Sequence, residues 1–137
     1  MRFLLDTNVV SELRRGPRAN ARVVAWFDEQ APEELFLSVI TVGEIREGIE
    51  RLPGRDRRQA AQLDRWVAGL LQYYEARVVY VDGPVAEEWG RLRARFRAPV
   101  VDALVAATAR VHDLTVATRN TRDFERLRVP VVNPWER

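Results

Sequence analysis

The feature that most restricts the fold of this chain is a short apolar run that ends on a polar group and is followed by a helix. Residues 3–5 (Phe-Leu-Leu) are too few for a helix and are typical of a buried strand. Asp6 ends the run, and the apolar residues after Asn8 follow helical spacing up to a basic stretch and Gly16. Asp6 is therefore expected at the carboxyl end of a first strand, where open α/β sheets bind their ligands.

The same alternation of short apolar runs and helix-spaced segments continues along the chain. It predicts further strands at 35–38, 78–81, 114–117 and 129–133, and helices at 18–30, 42–52, 55–76, 84–96 and 102–112, with a short one before 127. Pro130 places the last strand at an edge of the sheet, because proline cannot donate to a neighbouring strand. Strands that alternate with helices predict the α/β class.

The composition limits the chemistry that the chain can carry out. A chain of 137 residues is expected to form a single domain, 1–137, with a sizeable core. It has no Cys, which excludes disulfides, zinc–thiolate sites and cysteine nucleophiles. All 22 basic residues are Arg, so the P-loop lysine and Schiff-base chemistry are excluded as well. With neither a leader nor a long apolar run, we expect a soluble, cytoplasmic protein away from membranes.

The basic residues are grouped in three places along the sequence. The groups are residues 14–22, 55–58 and 91–97, which contain four, three and four arginines, respectively. Arginine-rich surfaces suit contacts with phosphate groups, although solvated helix faces would give the same groups. The formal net charge is only +2.

Two acidic residues occupy equivalent positions near predicted strand ends, and each has a purely structural interpretation. Asp6 would also serve as an N-cap. Glu44 comes shortly after the second strand, and Thr41 and Glu44 have the spacing of a capping box. Asp82 also follows a strand, but Pro84 just inside the next helix favours a simple cap there.

Two further acids are less easily explained as caps. Asp102 lies in the first turn of a helix that is apolar nearly all round, where an unpaired carboxylate is costly. Asp123 comes after the fourth strand, in a loop that also offers Thr118 and Asn120. If the strands are parallel, all four acids, Asp6 included, converge on one edge of the sheet.

Four carboxylates at one edge would repel one another unless a cation is bound. Mg²⁺ and Mn²⁺ prefer oxygen ligands, and magnesium usually keeps waters that can act as nucleophiles. Such a centre is suited to hydrolysing phosphodiesters. The pattern therefore predicts a divalent-metal site with a phosphodiester substrate.

In four segments the chain resembles the PIN-domain ribonucleases, and among them the VapC-type (FitB-like) toxins of toxin–antitoxin pairs. The segments are LLDTNVVSEL at 4–13, SVITVGEIREGIERL at 38–52, VVDALVAATARVHDLTVATRNTRDF at 100–124 and VVNPW at 131–135. The resemblance covers essentially the whole chain. It implies a PIN-like fold in which a five-stranded, mainly parallel sheet is flanked by helices.

The resemblance also implies an activity, a cofactor and partners. It implies an endoribonuclease that depends on Mg²⁺ or Mn²⁺, is inhibited by a cognate VapB-type antitoxin, and forms a homodimer and larger complexes with that antitoxin. Asp6, Glu44 and Asp102 match the three principal acids, and Asp123 matches the more variable fourth. Thr7 and Thr118 match hydroxyl residues that support the acids, and Asn120 is the other polar residue of the last loop.

Other functions make different demands on the sequence. An aspartyl-phosphate enzyme would need a lysine and an acid where Asn8 stands, and a dinucleotide-binding domain would need a GxGxxG motif; the chain has none of these. A catalytically inactive PIN-like module that binds RNA or a protein partner is the strongest alternative. The four acids weigh against it.

Overall fold

The computed structural model describes residues 1–136, which alternate between strands and helices as the sequence predicts. The strands are β1 (Phe3–Leu5), β2 (Leu35–Ser38), β3 (Val78–Val79), β4 (Thr115–Ala117) and β5 (Val131–Val132). The α-helices are α1 (Thr7–Leu13), α2 (Ala21–Glu29), α3 (Val39–Glu50), α4 (Arg57–Tyr73), α5 (Gly83–Phe96), α6 (Val100–His112) and α7 (Thr121–Glu125). Short 3₁₀ turns lie at Gly16–Arg18, Pro32–Glu34, Glu75–Arg77 and Pro134–Glu136.

The five strands form one sheet in the order β3-β2-β1-β4-β5, and every neighbouring pair is parallel. The central strand β1 aligns Phe3 with Leu35 of β2 and with Thr115 of β4. This confirms the predicted α/β class, the five parallel strands and the edge position of β5. The carboxyl ends of β1, β2 and β4 therefore lie side by side, with β1 in the middle.

Both faces of the sheet are covered by helices, which explains why its strands are apolar without interruption. Leu4 and Val116 pack on one side with residues of α5, α6 and α7. Phe3 and Leu5 point to the other side, into a cluster with residues of α1 to α4. Successive residues of one strand thus serve two cores, as the two-residue period of a strand requires.

Several predicted boundaries are wrong, and local capping explains two of them. The helix predicted at 18–30 begins only at Ala21, because Asn20 accepts hydrogen bonds from the Arg22 and Val23 amides and Pro17 lies in a 3₁₀ turn. The third helix begins at Val39, capped by Ser38, so the capping box expected from Thr41 and Glu44 does not form.

The ends of the long fourth helix and of the edge strands also differ from the prediction. Helix α4 begins at Arg57 and ends at Tyr73, with Asp56 and Gln59 forming the capping box. Strand β3 stops at Val79, and Tyr80 beyond it is 65% exposed. Asp82 caps α5, as predicted. Within residues 1–136, no helix is long and apolar enough to span a membrane.

Helix α7 has only five residues, too few to be stable alone, so it depends on the burial of Phe124. Replacing Phe124 with Ala should lower the free energy of unfolding by about 3 to 5 kcal/mol, because the ring is 1% exposed and leaves a cavity. Urea denaturation measures this. The exposed aromatic Tyr80 is the control, and Tyr80→Ala should change stability by less than about 0.5 kcal/mol. A loss below about 1 kcal/mol for Phe124→Ala would contradict the packing described.

Candidate active site

Three of the four predicted acids follow parallel strands, and the fourth, Asp102, lies at the start of α6, which follows α5. Asp6 directly follows β1, and Glu44 lies in the second turn of α3, which begins where β2 ends. Asp123 lies in α7, just after β4, and Asp102 lies in the first turn of α6. The acids are close enough to act on one another, because Asp123, Asp6 and Glu44 all contribute to the raised pKa of Asp102.

Asp6 is the most buried of these acids, with 9% of its surface exposed. Its Oδ1 accepts a hydrogen bond from the Thr7 amide at 2.9 Å, and its Oδ2 accepts one from the Thr118 hydroxyl at 2.8 Å. Burial raises the pKa of Asp6, while the Thr118 and Thr7 hydrogen bonds partly offset that rise. Asp6 therefore caps α1 and is also held rigidly with its carboxylate at the sheet edge.

Asn8 belongs to the same hydrogen-bond network, although sequence reasoning did not assign it a role. Its Nδ2 lies 3.5 Å from Asp6 Oδ2 and 3.3 Å from Thr118 Oγ1, and its Oδ1 accepts a hydrogen bond from the Arg119 amide. Asn8 therefore ties the end of β1 to the loop after β4. The signal available in the sequence was the position of Asn8 two residues after Asp6. Its partner Thr118 lies 110 residues away, so the sequence alone does not show that contact.

The carboxylate of Glu44 is held by Thr7. The Thr7 hydroxyl donates to Glu44 Oε1 at 2.6 Å, a contact between the first turn of α1 and α3. Within residues 1–136, no protein donor contacts Oε2. One oxygen of Glu44 is thus fixed in place and the other can accept a proton.

Asp102 and Asp123 both line a small cavity of about 170 Å³, which also has Arg97 and Arg126 in its wall. We call it the acid cavity. Burial is the main cause of the raised pKa of Asp102, and the neighbouring carboxylates add to it. Asp123 is exposed, and so it is the acid that solvent reaches most easily.

Asn120 contributes to this edge through its backbone. Its amide donates to Thr118 Oγ1 at 3.0 Å and so helps to orient the hydroxyl that contacts Asp6. Its side chain is exposed and does not cap α7. Asn120 and Asp123 line a second surface cavity together, on the side of Asn133.

The donor set suits a hard divalent cation, because it consists of carboxylate oxygens supported by hydroxyl groups. In the part of the chain that the structure describes, none of the four acids forms an ion pair with an arginine. In residues 1–136, no group of three or more acidic or histidine side chains is placed to hold a metal ion directly. Magnesium typically binds proteins through one or two carboxylates and keeps several waters, so such a site does not require three protein ligands.

A family model of the PIN domain matches residues 3–130. The chain belongs to the PIN-domain family. Toxin FitB of Neisseria gonorrhoeae is 39% identical to it over 97% of this chain and 98% of the toxin. The VapC ribonuclease Y4jK of Sinorhizobium fredii is 38% identical over 98% of each chain. These relatives confirm the predicted resemblance to VapC-type, FitB-like PIN toxins.

Solved structures agree with this assignment of the PIN fold. A chain in the crystal structure of FitAcB from Neisseria gonorrhoeae is 38% identical and superposes with a TM-score of 0.91, covering 98% of this chain and 99% of that one. A chain in a toxin–antitoxin complex from Klebsiella pneumoniae is 27% identical, with a TM-score of 0.72 and 96% of each chain covered. The predicted PIN-like fold is therefore confirmed.

The raised pKa of Asp102 predicts how the stability of this PIN domain depends on pH when no divalent cation is present. The folded chain keeps the Asp102 proton to a higher pH than the unfolded chain, in which the carboxyl titrates near its ordinary value of 3.8. The free energy of unfolding should therefore fall as the pH rises from there through the raised pKa. The Asp102→Asn variant has no carboxyl at this position, so its free energy of unfolding should fall less as the pH rises. It should be more stable than wild type at neutral pH.

Urea denaturation across this pH range, with a chelator present, measures the effect. The matched control is Asp82→Asn, which removes a carboxyl at the α5 cap, where Asn caps as well as Asp. Asp82→Asn should keep the wild-type decline. Equal stability of Asp102→Asn and wild type at every pH would contradict the electrostatic description of the site.

Proposed function

We propose that this PIN domain is a metal-dependent endoribonuclease and the toxin component of a VapBC-type toxin–antitoxin pair. The observation that carries the proposal is the cluster of Asp6, Glu44, Asp102 and Asp123 at the sheet edge, in which Asp102 has a raised pKa through burial and the charges of the other three. Such repulsion costs stability, and a bound cation would neutralise it. The names of its relatives supply the substrate class, RNA.

Asp6 and Asp102 are assigned to hold Mg²⁺ or Mn²⁺. Asp6 is suited to this role because Thr118 and the Thr7 amide fix the direction of its carboxylate. When bound, the metal lowers the pKa of a coordinated water and stabilises negative charge on the phosphate. Asp123, which is exposed beside Asp102, is assigned to bind a second metal or the attacking water.

Glu44 is assigned to orient or deprotonate the attacking water. Thr7 holds its Oε1, and Oε2 is left to accept the proton as the water oxygen forms its bond to phosphorus. As that bond forms, the bond from phosphorus to the leaving sugar oxygen breaks, and the sugar oxygen takes up a proton from solvent. Arg97 and Arg126, in the wall of the acid cavity, provide positive charge for the non-bridging phosphate oxygens.

A VapB-type antitoxin is the proposed protein partner, together with a homodimer and larger complexes, acting in the cytoplasm. The support is the toxin–antitoxin complex among the related structures and an apolar groove of about 560 Å³ between α1, α2 and α4. Leu13, Phe27, Trp66 and Leu70 line this groove. Its apolar character suits a protein partner better than RNA.

The test is cleavage of a total RNA pool by the purified chain with Mg²⁺, with Mn²⁺ and with a chelator. We expect discrete products only with metal. Asp6→Asn and Asp102→Asn should each reduce the rate at least about a hundredfold, the order that one positioned catalytic group contributes. Asp82→Asn is the control and should cleave like wild type.

Two outcomes would contradict the proposal. Cleavage that persists in a chelator or in the Asp6→Asn variant would show that the acids and the metal do not take part in the reaction as assigned. RNA binding without cleavage under any metal would favour the alternative, a catalytically inactive PIN-like module that binds RNA or a partner.

A further inference from the structure

Another cavity, of about 350 Å³, lies beside the acid cavity, and arginines form much of its wall. Arg91 and Arg95 come from α5, Arg110 comes from α6, and Arg128 follows α7. We call this the arginine cavity. Residues 91–97 stood out in the sequence as one of three basic groups, and the metal site does not account for Arg91 or Arg95.

The arginine cavity has an excess of positive charge. Glu88 is the acid in its wall, and it lies 3.8 Å from Arg91 and 3.6 Å from Arg110. Within residues 1–136, Arg95 and Arg128 have no acidic side chain within 4.0 Å. One carboxylate therefore faces four guanidinium groups, and the cavity is suited to an anion.

Three of these arginines are held in place before any ligand binds. The guanidinium carbons of Arg95 and Arg128 lie 5.1 and 5.6 Å from the centre of the Phe96 ring, within the range of a cation–π contact. Arg110 donates a hydrogen bond of 2.9 Å to the Arg128 carbonyl. Arg128 keeps a left-handed backbone (φ 57°), uncommon for a residue with a side chain. Because these groups are preorganised, binding an anion costs little additional ordering.

Phe96 joins the arginine cavity to the acid cavity, since its side chain lines both. Arg97 and Arg126 line the acid cavity, and Arg95 and Arg128 line the arginine cavity. Arginines therefore line both of the cavities that share Phe96. A chain of phosphates that enters the acid cavity can continue into the arginine cavity.

We propose that the arginine cavity binds a backbone phosphate of the RNA substrate other than the phosphate that is cut. This inference rests on the proposed function and adds a second point of attachment to it. Guanidinium groups match the phosphate geometry through paired N–H donors, and a backbone contact would act on any RNA sequence. An acidic protein segment is disfavoured. Extended along the same path, it would be repelled by the carboxylates of the acid cavity, and it has no phosphodiester for that site to cleave.

The test compares wild type with the double variant Arg91→Gln/Arg95→Gln. Both side chains are exposed, so the fold should be retained, which circular dichroism checks. The matched control is Arg57→Gln/Arg58→Gln, which removes the same charge from exposed positions at the start of α4. The probe is a fluorescein-labelled single-stranded oligouridylate, titrated in chelator over a range of salt concentrations so that binding is measured without cleavage.

We expect the double variant to bind the oligouridylate about tenfold more weakly at low salt. The slope of log affinity against log salt should become shallower by about 0.7, the contribution of one phosphate contact on a single strand. The control pair should keep the wild-type slope. With metal present, the double variant should raise KM for a long RNA and leave kcat unchanged, and it should cleave the dinucleotide UpU like wild type.

The outcomes separate this inference from the proposed function. Wild-type affinity and slope in the double variant, with metal-dependent cleavage intact in wild type, would overturn the phosphate site alone. Loss of affinity for a co-purified protein partner with unchanged RNA binding would overturn it too, and assign the cavity to that protein. The expected loss of RNA affinity, with no cleavage by wild type, would support the phosphate site and overturn the nuclease proposal. No RNA binding by wild type would overturn both.

Discussion

The fold brings four carboxylates to one edge of its sheet, and the rest of the structure has to hold them there against the cost of burying charge. Asp6 and Asp102 both have a raised pKa, chiefly through burial, and for Asp102 the neighbouring acids add to it. Holding such charges together costs stability, so the surrounding structure has to be rigid. The parallel sheet, the Thr118 and Thr7 hydroxyls, and the buried ring of Phe124 supply that rigidity.

The distribution of positive charge complements this arrangement. No arginine neutralises the acids directly within residues 1–136, whereas Arg97 and Arg126 border them and further arginines line the arginine cavity. A direct ion pair would occupy the carboxylates and compete with a cation. Arginines that border the acids without pairing with them can attract a polyanion and leave the carboxylates available to a cation.

The sheet could be predicted from the sequence because short apolar runs next to helical spacing have few other solutions, and the place of Asp6 at a strand end followed from this. Local signals failed where two residues could serve the same role. Ser38 caps α3 in place of Thr41, and Pro17 lies in a 3₁₀ turn before α2 rather than at the start of that helix. The role of Asn8 was not predictable, because its contacts with Thr118 and Arg119 form only when distant segments meet.

We infer that the four carboxylates form a site for a divalent cation. Calorimetric titration of the chelator-treated chain with Mn²⁺, in buffers of different ionisation enthalpy, tests it most directly. We expect saturable binding, with protons released at a pH within the titration range of Asp6 and Asp102, because burial raises both pKa values and the neighbouring carboxylates add to the rise at Asp102. We also expect that Asp102→Asn weakens binding and that Asp82→Asn does not. No binding by wild type, or equal binding by Asp102→Asn, would contradict this inference.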